Sequence, residues 1–289
     1  MNYKNYKKNP SETLETLFRW LAAQLRFSSC PFVEARLLLQ LALGLDENSF
    51  FKNLGQPVRR GVWKKVLALL KKRKESWPMA YLAGKKEFWS LEFKVNRQVL
   101  IPRPETEILV EKALSLKLPE RPQVLDVGTG CGNIAVALGR EWPEARITAC
   151  DLSLRALKIA RENAARNKVK NIYFVKSNLL NYFIRRRKKF DLIVSNPPYI
   201  SEEEWPMLDR SVRDFEPRKA LVAGPTGLEI IKKLIMQAPR CLKRSAYLLI
   251  EVGSSQAEVV LELAGENWQE AEVLKDYAGF FRAVCLRRK

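Results

Sequence analysis

Val124-Leu125-Asp126-Val127-Gly128-Thr129-Gly130-Cys131-Gly132 reads as a short apolar strand that runs straight into a glycine turn, with a helical stretch from Asn133 to Arg140 behind it. Glycines at such a junction let backbone N–H groups and carbonyls come close to a ligand at the helix N-terminus. The spacing is G-x-G-x-G rather than the G-x-G-x-x-G of dinucleotide folds. Asp151 lies 19 residues beyond Gly132 and ends a second strand, Arg146 to Asp151. A carboxylate at that place can accept both hydroxyl hydrogens of a ribose. The pair reads as a nucleoside-cofactor site, with S-adenosylmethionine ahead of NAD.

Outward from this stretch the pattern keeps alternating. Ser153 caps a helix that runs to Asn167, and Ile172–Val175 and Phe190–Ser195 are further strands. A helix over Leu228–Ala238 precedes a strand over Tyr247–Val252, and strands near Ala271–Leu274 and Ala283–Arg287 close the chain. Strand–helix alternation of this kind specifies an α/β sheet with helices on both faces. The charge run Arg185 to Lys189 reads as a solvated loop, and no internal repeat is present.

Upstream, Ser11 to about Leu82 has only helical periodicity: Leu14, Leu17, Phe18, Leu21 and Leu25; then Phe32, Ala35, Leu38 and Leu39; then Val62, Val66, Leu69 and Leu70. Residues 1–82 are expected to form a small helical domain, and residues 1–80 carry 15 basic against 6 acidic side chains. Between the two patterns, Leu91, Phe93 and Val95 alternate with Glu92 and Lys94 after Phe88, the mark of a short hairpin. Pro102 and Pro104 then forbid a regular element, and a helix can start at Pro104 and run to about Lys117. Residues 83–104 read as a connector and 105–289 as the α/β domain.

Composition narrows the chemistry. The formal net charge of +19 fits contact with nucleic acid, a ribosome or an acidic protein, and fits a merely solvated basic surface as well. Histidine is absent, which excludes Ser-His-Asp and Cys-His catalysis, histidine general acid–base chemistry and histidine-ligated metals. Cys30, Cys131, Cys150, Cys241 and Cys285 are scattered, with no C-x-x-C pair, so neither a disulfide framework nor a metal site is expected and a reducing cytoplasm is. The polar, lysine-rich Met1–Pro10 is no signal peptide, and no apolar run has transmembrane length, so no membrane partner is expected.

Asn196-Pro197-Pro198-Tyr199 decides between the two cofactors. It follows the strand Phe190–Ser195 at its carboxyl end, the edge on which open α/β sheets bind ligands. The prolines stiffen the loop and leave carbonyls as acceptors; Asn196 adds a side-chain oxygen and Tyr199 a flat ring. Together they make a cradle for a planar –NH2 group, with acceptors for its hydrogens and a face to stack on. Such a site suits methylation of an amide or exocyclic amine, since a sulfonium methyl is already activated and no strong base is needed. A rigid turn with a packing tyrosine is the plainer alternative.

The G-T-G-x-G turn followed by Asn196–Tyr199 resembles class I methyltransferases acting on exocyclic amines and amides. The stretches Pro78-Met79-Ala80-Tyr81-Leu82-Ala83-Gly84 and Leu100-Ile101-Pro102-Arg103-Pro104-Glu105-Thr106-Glu107 narrow the resemblance to the bacterial PrmC/HemK family. Phe215-Glu216-Pro217-Arg218, Gly224-Pro225-Thr226-Gly227-Leu228, Glu251-Val252-Gly253 with Gln256, and Asp276-Tyr277-Ala278-Gly279 with Arg282 agree with it. The resemblance implies a Rossmann-like, mostly parallel seven-stranded sheet with a small all-helical N-terminal domain that helps grip the substrate protein. It implies methyl transfer from S-adenosylmethionine to the amide of the glutamine in the Gly-Gly-Gln motif of class I peptide chain release factors, with S-adenosylhomocysteine as product. Gly128, Thr129, Gly130, Cys131 and Gly132 would hold the methionine part of the cofactor, Asp151 its ribose, and Asn178 and Leu179 its adenine. Asn196, Pro197, Pro198 and Tyr199 would bind the substrate amide, with Asn196 also beside the cofactor. Family members often carry an acidic residue where Asn178 stands and Ser or Thr where Cys131 stands. The rival readings are a ribosomal-protein glutamine methyltransferase, an N6-adenine DNA or RNA methyltransferase, and a non-catalytic RNA-binding factor on the same fold.

Overall fold

The computed structural model describes residues 13–289, so Met1–Pro10 lies outside the described residues. The chain divides into two compact units, Met1–Ala83 and Gly84–Lys289.

The first unit is helical: α1 (Leu14–Gln24), α2 (Pro31–Leu43), α3 (Glu47–Lys52), α4 (Arg60–Lys74) and α5 (Met79–Ala83). Local chemistry sets the ends. The side chains of Thr13 and Asp46 accept from the amides of Thr16 and Ser49, and α2 starts on Pro31 and stops at Gly44 in the left-handed region. Leu14, Leu17, Leu21, Leu25, Ala35, Leu38, Leu39, Val66 and Leu70 are buried together, as their spacing requires. Phe32 departs from that pattern. It is 61 % exposed in the first turn of α2, with its ring edge-to-face against Phe18. Arg73 of α4 donates twice to Glu34 of α2, both at 2.8 Å, which ties the two helices where neither charge is well solvated.

The second unit opens with a hairpin, β1 (Lys85–Phe88) and β2 (Leu91–Lys94), so the stretch that reads as a connector is an integral part of the α/β unit. After a single 3₁₀ turn at Pro104–Thr106 come α6 (Glu107–Ser115), β3 (Gln123–Val127), α7 (Asn133–Glu141), β4 (Arg146–Asp151), α8 (Leu154–Arg166) and β5 (Ile172–Lys176). Next are α9 (Asn181–Arg185), β6 (Phe190–Ser195), β7 (Ile200–Ser201), α10 (Arg210–Arg213), β8 (Val222–Gly224), α11 (Glu229–Gln237), β9 (Leu242–Glu251), α12 (Ala257–Ala264), β10 (Trp268–Lys275) and β11 (Phe281–Arg288). The main sheet has seven strands in the order β10-β11-β9-β6-β3-β4-β5. Five neighbouring strands, from β9 to β5, are parallel, and β11 runs antiparallel between β9 and β10. Its interior strands are near-continuous apolar runs because both faces are covered. One core packs β6 and β9 against α11 and α12; the other packs β3 and β4 against α6, α7 and the hairpin's Phe88 and Phe93. The sequence pattern does not reveal α9, α12 or the short parallel pair β7–β8. Arg185 to Lys189, expected as a solvated loop, form the end of α9 and the turn after it, and all five are exposed.

Candidate active site at the carboxyl edge of the sheet

Register brings the motifs together. Val127 of β3 stands between Cys150 of β4 and Ser195 of β6, and Ser195 stands opposite Ile250 of β9. The residues just beyond these positions, Gly128, Asp151, Asn196 and Glu251, therefore leave one edge side by side. The topology explains why: the order reverses on either side of β3, so the connections leave from opposite faces and open a crevice there.

The glycine turn is braced from beneath by Asp126, a residue to which its spacing alone assigns no role. Its carboxyl is fully buried, and Oδ2 accepts from the Thr129 hydroxyl at 2.5 Å and from the Ala135 amide at 3.2 Å. Burial raises its pKa to about 7 against the pull of those two bonds. Thr129 thus commits its hydroxyl to the protein. Gly128 and Gly130 sit at φ +72° and +56°, and a Cβ on either would meet no protein atom closer than 3.9 Å. Their missing side chains clear space over the edge, which fits a ligand laid against the backbone. Gly132 has a different reason: a Cβ there would stand 3.0 Å from that of Ala160 in α8, at φ +86°. Gly132→Ala should cost about 1–3 kcal/mol; a melting temperature within about 1 °C of the parent would contradict this.

Cys131 is buried, its thiol pushed up to about 12 by burial, and its carbonyl accepts from Asn163 Nδ2 at 2.8 Å. Asn163 also exchanges two hydrogen bonds with the Lys94 backbone, at 2.7 and 3.0 Å, and so ties the glycine turn to the hairpin. Cys131 is thus a packing residue. Of the five thiols only Cys30 is exposed, so a disulfide reagent at mildly alkaline pH should titrate one fast equivalent from the native protein. A second fast equivalent would contradict the burial of the other four.

Asp151 projects beside the turn. Its Oδ2 accepts from the Gly130 amide at 3.0 Å and its Oδ1 from the Ser153 amide at 2.8 Å, which leaves lone pairs on both oxygens for a ligand. Burial raises its pKa, opposed by the amides of Ser153, Gly130 and Leu152. The chain returns past it after β5, where Ser177 N donates to the Asp151 carbonyl at 3.1 Å. Leu179 takes φ +48° and its carbonyl accepts from Ser177 Oγ at 2.7 Å. Asn178 is exposed and lines a groove with Lys176, Asn181, Tyr182, Arg185 and Arg186, separate from the cavity at the glycine turn.

That cavity is lined by Gly128, Thr129, Gly130, Cys131, Asn133, Ile134 and Asn196, and by Leu100, Pro102, Arg103 and Thr106 from the stretch before α6. Glu216 holds the stretch in place: its buried carboxyl accepts from the Ile101 amide at 3.0 Å and pairs with Arg103. The motifs around residues 101–107 and 215–218 thus meet, a contact across more than a hundred residues that periodicity cannot show.

Asn196 is half-buried and its Nδ2 donates to Thr106 Oγ1 at 3.0 Å, which leaves Oδ1 to accept from a ligand. Pro197 is buried and Pro198 half-buried behind it. The Tyr199 carbonyl accepts from Gln256 Nε2 at 2.9 Å, and Gln256 Oε1 takes the Gly253 amide at 2.9 Å, so the loop is held from its far side. The Tyr199 hydroxyl donates to Glu251 Oε1 at 3.3 Å; burial, then the neighbouring Glu251, raises its pKa. No group of three potential metal ligands occurs among the described residues, and none of their helices is long and apolar enough to cross a membrane.

Residues 16–84 match the PrmC N-terminal domain family and residues 104–213 the Methyltransferase small domain family. The chain is 37 % identical over 290 residues to the release factor glutamine methyltransferase of Coxiella burnetii, covering 100 % of this chain and 99 % of that one. It is 39 % identical over 259 residues to the release factor glutamine methyltransferase of Koribacter versatilis, covering 89 % and 91 %. Among solved structures, a methyltransferase from Pyrococcus furiosus aligns with TM-score 0.52 at 18 % identity over 76 % of this chain and 96 % of that one, a likeness of fold alone. Sequence identity that spans both units, with the glycine turn and the Asn196–Tyr199 loop brought to one sheet edge, places the chain in the release factor glutamine methyltransferase family.

Proposed function

We propose that this protein transfers a methyl group from S-adenosylmethionine to the side-chain amide nitrogen, N5, of the glutamine in the Gly-Gly-Gln motif of class I peptide chain release factors. The observation that carries the reading is the orientation of Asn196, whose Nδ2 is committed to Thr106 so that Oδ1 is the atom offered to an –NH2 donor. Bound S-adenosylmethionine supplies a methyl group already activated by its sulfonium. Gly128 to Gly132 would hold its methionine part and Asp151 its ribose, a fit that the cleared space over Gly128 and Gly130 and the open lone pairs of Asp151 support; the Asn178–Leu179 turn, which follows the Ser177 bond to the Asp151 carbonyl and lines the neighbouring groove, would meet its adenine.

The chain's own groups then have limited tasks. An amide nitrogen is a poor nucleophile because its lone pair is delocalised, so acceptors on its N–H bonds and a fixed approach are what the protein can contribute. Asn196 Oδ1 supplies one acceptor, the proline-stiffened backbone the other, and the Tyr199 ring a face for the planar amide. No histidine is needed. The helical unit would help hold the release factor, and the exposed Arg185–Lys189 run offers positive surface for ribosome or RNA contact. Such a substrate places the enzyme in the cytoplasm, where its free cysteines remain reduced. Label transfer from methyl-labelled S-adenosylmethionine tests the reading: a class I release factor should take up one equivalent, while ribosomal protein and duplex DNA take up none. Preferred labelling of either of those would overturn it.

A further inference from the structure

The methyl-transfer site uses the carboxyl edge around β3 and leaves the last strand of the sheet without a task. β5 is that terminal strand. From Lys168, just before it, to Lys189, just after α9, the chain carries eight Lys and Arg and no Asp or Glu. All eight are exposed, and none is in an ion pair among the described residues. Elsewhere in the same unit cations are matched: Lys94 with Glu162, Lys112 with Glu272 and Arg166 with Glu92. Like charges crowded without partners oppose the compact state, so stability gives no reason for the cluster.

The backbone presents it on a fixed frame. Leu180 and Phe183 are in the core, the amides of Arg187 and Lys188 donate to the Ile184 and Phe183 carbonyls at 3.1 and 3.0 Å, and Lys189 Nζ donates to the Arg240 carbonyl at 3.0 Å. Lys176, Arg185 and Arg186 line one groove with Asn178, Asn181 and Tyr182. The cofactor gives no reason for those cations, since its adenine is uncharged and its sulfonium is positive. The Arg186 guanidinium lies over the Tyr182 ring, 4.6 Å from its centroid, and such a pair offers a base a plane to stack on. Between Lys168 and Lys189 the one large apolar side chain left exposed is Tyr173. Protein interfaces centre on apolar and aromatic anchors and are depleted in lysine, the opposite composition. Phosphates strung along a strand match it better. The extended stretch from Lys170 to Lys176 spans roughly 20 Å, room for about six nucleotides at about 3.4 Å each.

We propose that this corner, from β5 to the turn after α9, is a docking surface for single-stranded RNA, with its cations on the phosphates and the Arg186–Tyr182 pair beneath a base. The phosphate contact rests on the surface alone. The choice of RNA over DNA rests on the release-factor reading, since translation surrounds such an enzyme with RNA.

Fluorescence anisotropy of a labelled single-stranded RNA of about 12 nucleotides, titrated with the full chain, tests the surface without methyl donor or release factor. About four to six phosphate contacts give a slope of about −3 to −4 in log K against log salt, so affinity should fall roughly 100-fold between about 50 and about 200 mM. Arg186→Gln, Arg187→Gln and Lys188→Gln together should weaken binding at least about 10-fold at fixed salt and flatten the slope by about 2. The same loss of charge on α4, by Lys64→Gln, Lys65→Gln and Lys71→Gln, should change Kd by less than about threefold. All six side chains are exposed, so both variants should melt with the parent. Arg186→Lys keeps the charge and removes the plane, and should lower affinity while leaving the slope unchanged; parent affinity there would overturn the stacking role. A slope near zero, parent affinity in the first triple variant, or an equal loss in the α4 variant would overturn the docking surface. A polyglutamate peptide bound as tightly as the RNA would reassign it to an acidic protein, and single-stranded DNA bound more tightly than RNA would overturn the choice of RNA. Because methylation is not measured, failure here leaves the function proposed above standing, and failure of methylation leaves this surface to be decided by the titration alone.

Discussion

Asn196→Ala is expected to lower methyl transfer on the order of 10²–10³-fold, the usual scale for one preorganised hydrogen-bonding group at a reacting centre. The side chain does two things that alanine cannot. Its Nδ2 is anchored on Thr106 at 3.0 Å, which fixes the amide plane, and its Oδ1 is left for an N–H of the substrate. Both effects act on how the nitrogen is aimed at the methyl group, not on how the cofactor is held, so Kd for S-adenosylmethionine should change by less than about threefold. Single-turnover methylation and calorimetry on the same preparation separate the two. Turnover at the parent rate would remove the Asn196–Tyr199 loop from the chemistry, and a parallel collapse of cofactor affinity would make Asn196 a cofactor residue first.

Asp151→Ala is expected to act on the other quantity. Hydrogen bonds to a charged group contribute about 1.5–3 kcal/mol each, so loss of the carboxylate should weaken binding of S-adenosylmethionine and S-adenosylhomocysteine by roughly 10²-fold. The same carboxylate also holds the Gly130 and Ser153 amides at 3.0 and 2.8 Å, so alanine loosens the glycine turn and the start of α8 as well. Asp151→Asn separates the contributions. It retains a side-chain acceptor while removing the charge, and should bind the cofactor more tightly than the alanine variant and more weakly than the parent. Unchanged affinity in calorimetry for both variants would take Asp151 out of the ribose site.

The sheet is legible in the sequence because its strands are short apolar runs with sharp ends. Arg146–Asp151 and Phe190–Ser195 have the bounds their composition predicts, and Ser153 caps α8 by accepting from the Ala156 amide at 3.2 Å. Elements without contrast are not legible. The five residues of α9 are too few for a period, and β7 and β8 are two and three residues long and owe their pairing to each other. The same division runs through the site. Residues that announce themselves by type and spacing, the glycines, Asp151 and Asn196–Tyr199, can be found from the chain alone. Those that brace them cannot, because each works across a long separation: Asn163 on Lys94 and Cys131, Glu216 on Ile101 and Arg103, Thr106 on Asn196. Two other supports, one under Thr129 of the turn and one under Tyr199 of the loop, do leave a signal. Asp126 and Glu251 are acids set within apolar strand sequence, and a charge placed there is either paired or retained for a function.

The central claim, glutamine methylation at the cradle, is tested most directly by mass spectrometry of a class I release factor after incubation with the protein and methyl-labelled S-adenosylmethionine. One added methyl on the glutamine of the Gly-Gly-Gln motif, absent when that glutamine is alanine, is the predicted result. A methyl on any other residue, or none despite measurable cofactor binding, would contradict it.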